Sequence, residues 1–153
     1  MKLLTGVLLL LLLSGIAAAA WAGPAEEVAA LAQQRGQAFA EGNLDAYMAA
    51  WADNAVLTSS RAAFRIEGKE AIRTWFASLF QNYPTRRSIG RQISYRVYGN
   101  DSVVISNAYA DQTWVDRNGH MTTAMVRAST TWMKVGGQWV TVDFHVSKIP
   151  GTQ

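Results

Sequence analysis

Apolar residues recur at helical intervals in the part of the chain that follows residue 23. Over residues 25–41 they form one stripe, and Gly42 follows as a stop signal. Asn43 is then placed to cap a short second helix, whose apolar face carries Tyr47 and Trp51. The pattern predicts two consecutive helices in this stretch.

The clearest helical periodicity predicts a third helix further along the chain. Gly68 marks its start and Pro84 closes it, because proline has no amide hydrogen with which to continue the helical hydrogen bonds. Its apolar positions are Ile72, Trp75, Phe76, Leu79, Phe80 and Tyr83. A stripe of this width is typical of a helix that packs on a core.

The remaining pattern is that of strands, in which β-branched and aromatic residues alternate with polar ones. Asn118-Gly119 and Gly136-Gly137 predict tight hairpin turns. The predicted strands cover residues 55–59, 64–67, 87–98, 102–115 and 139–147, with a further long strand between the two turns. Helices followed by an antiparallel meander predict an α+β domain whose helices cover one face of a curved sheet.

The first 22 residues have the pattern of a secretory signal peptide. Lys2 provides a positive charge, residues 3–13 form an apolar segment, and Ala20 and Ala22 place small residues at the positions that signal peptidase reads. Cleavage after Ala22 would leave residues 23–153 as a single domain.

An uncleaved membrane anchor is the alternative, because residues 3–20 are just long enough to span a bilayer. The second half of this segment is rich in alanine and glycine rather than leucine, which favours a cleaved signal. We therefore expect a periplasmic or secreted protein with no stable membrane anchor after cleavage.

The composition excludes several kinds of site. The chain of 153 residues contains no cysteine and has only His120 and His145 as imidazoles, which excludes zinc–thiolate sites and thiol nucleophiles and disfavours a histidine-rich metal site. Its sequence also contains no glycine-rich phosphate loop and no nucleophile elbow. We therefore expect neither a metal nor a cofactor.

The charge of the chain disfavours nucleic acid as a partner. The formal net charge is +3, and the basic residues never form a dense block. The nearest approach to a basic face is a set of four arginines on one predicted strand: Arg86, Arg87, Arg91 and Arg96. We expect their side chains to point outward into solvent.

Three segments in the second half of the chain resemble the closing hairpins of the NTF2-like superfamily. They are DRNG at 116–119, TTW at 130–132 and GQWVTVDFHVS at 137–147. The sequence is most similar to the SnoaL-like bacterial branch, including the SgcJ/EcaC group, and to the association domain of calcium/calmodulin-dependent protein kinase II. The order of elements agrees as well, with WAD at 51–53 and GKEAI at 68–72 opening the third helix.

The resemblance implies a cone in which three N-terminal helices pack on a strongly curved antiparallel sheet. It also implies an apolar cavity at the open end and a homodimer formed through the sheet. The kinase association domain lines its cavity with arginines, whereas this sequence has Ala110 and Thr130 at the matching positions. Ala108 and Ala128 lie two residues before Ala110 and Thr130 on the same predicted strands, so they share the same face of the sheet. Such small side chains leave space either for a ligand or for the third helix.

Three residues are candidates for proton-transfer chemistry. Asp143 and His145 are two apart on a predicted strand, so they share a face, and the carboxylate could orient the imidazole as a general base. The alternative is a structural histidine. Asp53 follows the aromatic end of the second helix and could act as a base at the rim of the cavity. Its alternative is a turn carboxylate that bonds the backbone.

The predicted ligand contacts combine aromatic residues with small residues of the sheet. They are Tyr47, Trp51, Trp75, Ala110, Trp114 and Thr130. Aromatic residues at helical or strand spacing are more often core than lining, so the core interpretation stays open for them.

Three functions remain open at this point. The first is an exported protein whose cavity binds a small apolar or carbonyl-containing molecule. The second is a cofactor-free SnoaL-like enzyme of the isomerase or cyclase type, and the third is a non-catalytic dimerisation module. The fold alone does not decide among them, because this superfamily hosts isomerases, cyclases, hydrolases and oligomerisers. We rank ligand binding first.

These expectations predict the species that should be recovered from the export compartment. N-terminal sequencing should begin at or within a residue or two of Gly23, because cleavage follows Ala22. Recovery of intact Met1 in the membrane fraction would contradict export.

The predicted homodimer should be visible in solution. Light scattering at micromolar concentration should give about twice the monomer mass. A monomer whose mass does not change with concentration would contradict the homodimer.

Overall fold

The helical layer comes from the first half of the chain. The computed structural model describes residues 23–151, so the predicted signal peptide of residues 1–22 lies outside the described residues. The helices are α1 (Pro24–Glu41), α2 (Leu44–Met48) and α3 (Lys69–Asn82). None of the helices in the described range is long and apolar enough to cross a bilayer.

Six strands form one sheet against which the helices pack. They are β1 (Trp51–Ser59), β2 (Ile66–Glu67), β3 (Thr85–Tyr98), β4 (Val103–Val115), β5 (Met121–Val135) and β6 (Gln138–Lys148). Their order across the sheet is β2-β1-β6-β5-β4-β3. Strands β3 to β6 form the predicted antiparallel meander, while β1 pairs antiparallel with β2 and parallel with β6. The α+β fold class, with helices on a curved sheet, is confirmed.

Local sequence signals account for the ends of the helices. The amide of Gly42, at φ 78°, donates to the carbonyl oxygen of Phe39 at the end of α1. The Asn43 side chain accepts a hydrogen bond of 3.0 Å from the Ala46 amide and caps α2, as predicted. Gly68 precedes α3 at φ 87°, a conformation that favours glycine.

The chain enters β1 earlier than the sequence pattern predicts. The apolar spacing predicts Trp51 on the second helix, whereas α2 ends at Met48 and Trp51 already pairs with Thr141 of β6. The Thr141 amide donates a hydrogen bond of 2.6 Å to the carbonyl oxygen of Ala50. Pairing with a neighbouring strand overrides the local helical pattern, so Asp53 lies on a strand instead of at a helix end.

The main core lies between the helices and the face of the sheet that they cover, which we call the inner face. It is largely aromatic, with Phe39, Tyr47, Trp51 and Phe76 all buried. Tyr47 and Phe76 meet nearly edge-on with ring centres 4.5 Å apart, a geometry that stabilises by about 0.5–1.5 kcal/mol beyond area burial. A second cluster around Trp132 packs against the first half of α1. The opposite side of the sheet is the outer face.

Arg86 does not point into solvent as the sequence predicts. It lies on the inner face at the start of β3 and is 5% exposed, because consecutive strand residues face opposite sides and its neighbour Arg87 takes the outer one. Arg86 Nε donates to the carbonyl oxygen of Phe39 at 2.7 Å, and Nη1 donates to that of Tyr83 at 2.8 Å. One guanidinium thus binds the last turns of α1 and α3. A Cβ at Gly42 would collide with it.

Arg86→Gln should lower the free energy of unfolding by about 2–4 kcal/mol, because it leaves carbonyl oxygens at two helix ends without a charged donor. Arg87→Gln removes the same charge from the exposed neighbouring position and should change the free energy of unfolding by less than about 0.5 kcal/mol. Urea denaturation followed by circular dichroism measures both variants. Equal effects of the two substitutions would contradict the role assigned to Arg86.

Candidate functional site

A cavity of about 170 Å³ lies between the helices and the inner face of the sheet. Its wall takes residues from all three helices, from the loop after β1 and from inner positions of β1, β3, β4 and β6. Most of the wall is apolar or aromatic, and its polar members include Arg35 of α1 and Arg61 of the loop. An apolar wall with a few polar groups is the usual composition of a small-molecule site.

Arg35 carries its guanidinium from α1 into the cavity. Nη1 donates to Thr141 Oγ1 at 2.8 Å, and Nη2 donates to Thr130 Oγ1 at 3.4 Å. The guanidinium carbon is 4.7 Å from the centre of the Trp132 ring and 4.9 Å from that of Phe144. No aspartate or glutamate among residues 23–151 forms an ion pair with this cation. Arg35 is therefore held by hydroxyl groups and ring faces, without a counter-charge.

Arg35 keeps its positive charge although its guanidinium is partly removed from water. Burial lowers the pKa of Arg35, since removing the cation from water disfavours the charged form. The guanidinium still keeps its proton at neutral pH, because the ordinary arginine pKa lies so far above neutrality. An unpaired, partly buried charge carries a desolvation cost that a contacting anion would offset. This end of the cavity, which we call the Arg35 end, is thus suited to a negatively charged group.

Other groups near the cavity can also donate hydrogen bonds. Burial raises the pKa of Tyr47 to about 12, so its hydroxyl stays protonated at neutral pH. The indole N–H groups of Trp114 and Trp51 are buried and have no acceptor within the described part of the chain. The Trp51 ring centre lies 5.8 Å from the Arg35 guanidinium carbon. Buried polar groups are normally paired, so these two indole N–H groups are available to an acceptor.

Arg61 lines a different part of the cavity wall, which we call the Arg61 end. Its guanidinium carbon is 4.3 Å from the centre of the Trp114 ring and 4.9 Å from that of Tyr83. The side chain is exposed, and no acidic residue between positions 23 and 151 pairs with it. Each end of the cavity therefore carries a cation.

Sequence reasoning missed both arginines of the cavity. Position 35 continues the apolar stripe of Val28, Leu31 and Ala38 at spacings of three and four, and a charged residue on such a stripe is the signal that could have found Arg35. Arg61 offers no comparable signal, because the loop that contains it has no periodicity.

Three of the six predicted ligand contacts line the cavity: Tyr47, Trp75 and Trp114. Thr130 is buried and accepts a hydrogen bond from Arg35, and Trp51 is buried next to the same guanidinium. Ala110 is buried on the inner face, outside the wall of the cavity. The binding roles of these residues stay predictions.

The three candidate proton-transfer residues lie away from the cavity. Asp53 is exposed on β1. Asp143 and His145 are exposed on the outer face of β6, because Phe144 and Val146 alternate with them and point into the cavity. Within residues 23–151, Asp143 and His145 form no hydrogen bond with each other, and no group of acidic and histidine side chains could hold a metal ion. The catalytic role of the three residues stays a prediction.

The burial of the Tyr47 hydroxyl predicts a pH dependence of stability. An unfolded tyrosine ionises near pH 10, whereas Tyr47 keeps its proton to about pH 12 in the folded chain. The unfolded state therefore releases this proton first. The contribution of Tyr47 to the free energy of unfolding is intact below pH 10 and is lost as the pH rises through 12, by at most about 1.4 kcal/mol per pH unit.

Tyr47→Phe should remove this part of the pH dependence while it keeps the ring contacts. Urea unfolding of both proteins between about pH 8 and pH 11 measures the difference. Parallel stability curves for the two proteins would show that the Tyr47 hydroxyl ionises as freely in the folded chain as in the unfolded one.

A family model accounts for nearly all of the described chain. The model of the calcium/calmodulin dependent protein kinase II association domain matches residues 24–150. None of the curated proteins compared is similar enough to the chain to count as a match.

Solved structures share the fold at low sequence identity. A proposed calcium/calmodulin dependent protein kinase II association domain from Xanthomonas campestris is 23% identical, with a TM-score of 0.74 over 86% of this chain and 95% of that chain. An NTF2-like superfamily protein from Salmonella enterica serovar Typhimurium is 16% identical, with a TM-score of 0.75 over 85% and 94%. A proposed dehydratase of the NTF2-like family from Streptomyces avermitilis is 14% identical, with a TM-score of 0.70 over 84% and 97%.

At these identities the solved structures establish the fold alone, and that fold is the NTF2-like one that the sequence resemblance implies. The narrower SgcJ/EcaC branch stays a prediction. Because the family model spans residues 24–150, the chain belongs to the calcium/calmodulin-dependent protein kinase II association domain family, with the NTF2-like fold.

Proposed function

We propose that this chain is an exported binding protein whose cavity holds a small aromatic carboxylate. The observation that carries the proposal is the Arg35 guanidinium, which lies among aromatic rings and two threonine hydroxyls with no acidic partner in residues 23–151. The export part of the proposal rests on the signal-like pattern of residues 1–22.

The chemistry around Arg35 favours a carboxylate. A guanidinium presents parallel N–H groups that match the two oxygens of a carboxylate. The unpaired indole N–H of Trp51 and the protonated hydroxyl of Tyr47 add donors near Arg35. An ionised carboxylate accepts hydrogen bonds without donating any, so it can pair with these donors, whereas an ammonium ligand offers only further donors.

The walls and the volume favour an aromatic body of limited size. Phe39, Phe76 and Trp75 contribute ring surfaces to the wall. The volume is about 170 Å³, and an apolar protein cavity of about 150 Å³ is known to admit one benzene molecule. We therefore propose a ligand built around a single ring.

Binding is favoured over proton-transfer catalysis by the ionisable groups of the cavity wall. Among the described residues these are Arg35, Arg61 and Tyr47. None of them accepts a proton near neutral pH, and isomerase or cyclase chemistry needs a base within hydrogen-bond reach of its substrate. Asp53, the candidate base, is exposed and does not line the cavity.

We propose further that the binding protein is a homodimer formed through the outer face. Ile89, Tyr109 and Met133 leave 39%, 43% and 40% of their surface exposed on that face. Large apolar side chains that remain exposed on one sheet face are typical of an interface. Membership in an association-domain family supports the same conclusion.

Calorimetry with three ligands of one size tests the charge of the proposed ligand. Benzoate should bind the protein, and benzyl alcohol and benzylamine should bind at least about tenfold more weakly, because only the anion pairs with Arg35. Arg35→Met should weaken benzoate binding by about tenfold or more. Its melting temperature should not fall, since the substitution removes an unpaired, partly buried cation.

Arg87→Met is the matched control, because it removes the same charge from the exposed outer side of β3. It should leave benzoate affinity unchanged. Equal binding of the three ligands, or benzoate binding that survives Arg35→Met, would overturn the proposed function. A large loss of stability in Arg35→Met would instead assign Arg35 to the core.

A further inference from the structure

We propose that the Arg61 end of the cavity is a second acid-binding subsite, so that the preferred ligand is an aromatic molecule with acidic groups at opposite ends. This inference rests on the proposed function for the first acid, which pairs with Arg35. It adds a second determinant of specificity on a different element of the fold.

The two guanidiniums occupy separate places along the cavity. Arg35 lies against Trp132 and Phe144, whereas Arg61 lies against Trp114 and Tyr83, so they share no ring.

Strand β6 contacts both Arg35 and the loop that contains Arg61. Phe144 contacts Arg35, and the carbonyl oxygen of Val146 accepts a hydrogen bond from the Ser60 amide, immediately before Arg61. Phe144 and Val146 are two residues apart on one strand, which separates them by roughly 7 Å. Since the two guanidiniums also lie on different rings, a ligand that reaches both must carry two separated acidic groups, as a ring with substituents at opposite ends does.

The ring contacts of Arg61 leave its N–H groups available. Its guanidinium carbon lies near the ring centres of Trp114 and Tyr83, and its side chain donates no hydrogen bond to residues 23–151. The two rings are inclined at 72° to each other, and their contacts restrict the Arg61 side chain. A cation fixed in this way loses little side-chain entropy when it binds an acid.

The neighbouring arginine of the same loop provides an internal comparison. Arg65 is paired with Glu67 at 2.5 Å. Within residues 23–151 Arg61 has no such partner, although it is only four positions away and equally charged. The acidic residue next to the loop is thus committed to Arg65, and the cation that lines the cavity stays available.

A simpler role for Arg61 is to cover the rings at the mouth of the cavity without contacting any acid. The two roles differ in one measurable respect. A covering side chain affects all aromatic carboxylates alike, whereas an acid-binding subsite acts only on ligands that carry a second acid.

The test uses three ligands with one ring: benzoate, terephthalate and 4-carbamoylbenzoate. The last has nearly the size of terephthalate, but its second group is a neutral amide. Calorimetry near neutral pH and low salt should give terephthalate an affinity about fivefold or more above that of 4-carbamoylbenzoate. Arg61→Gln should abolish this ratio and leave benzoate affinity within about twofold of the original value.

Arg65→Gln is the matched control, because it removes the same charge from the same loop outside the cavity wall. It should preserve the terephthalate preference. Equal affinities for terephthalate and 4-carbamoylbenzoate, or an equal loss for all three ligands in Arg61→Gln, would overturn the second subsite while leaving the proposed function standing. Failure of all three ligands to bind the unmodified protein would overturn the proposed function and this inference together.

Discussion

The unpaired guanidinium of Arg35 determines what this cavity can hold. A cation taken out of water needs a counter-charge, and the described residues around it supply hydroxyls, ring faces and further N–H groups instead. Ring faces attract a guanidinium through their quadrupoles but do not neutralise it. In the function that we propose, the aromatic wall provides the shape of a small apolar site, and Arg35 gives that site a preference for anions.

Two arginines on the helix-covered side of the sheet illustrate opposite uses of the same side chain. Arg86 is bonded to carbonyl oxygens at the ends of α1 and α3, where the partial negative charge of a helix terminus suits a cation. Arg35 bonds only to the hydroxyls of Thr130 and Thr141, which carry no net charge. The first arginine is therefore satisfied by the fold, and the second retains capacity for a ligand.

The sequence predicts most of the fold, because helix α3 and the meander carry strong local signals. The apolar stripe that ends at Pro84 predicts α3, and Asn118-Gly119 predicts a hairpin turn. Both signals can be read from the sequence because they involve only residues that are close together in the chain. The start of β1 is different, since Trp51 becomes a strand residue only through its distant partner in β6. The position of Arg35 on the apolar stripe of α1 is a local signal, whereas its partners Thr141 and Thr130 are brought to it only by tertiary contacts. Strand spacing likewise pairs Asp143 with His145 on one face without indicating which side of the sheet that face is on.

The central claim is that Arg35 itself receives the carboxylate of the ligand. Nuclear magnetic resonance of protein labelled with ¹⁵N-arginine observes the guanidinium groups directly, with the Arg35 signals assigned by their loss in Arg35→Met. On titration with benzoate, the Arg35 N–H resonances should move downfield and exchange more slowly with water, as charge-assisted hydrogen bonds do, while those of the outer-face Arg87 stay in place. Saturable benzoate binding that leaves the Arg35 resonances unchanged would contradict the account.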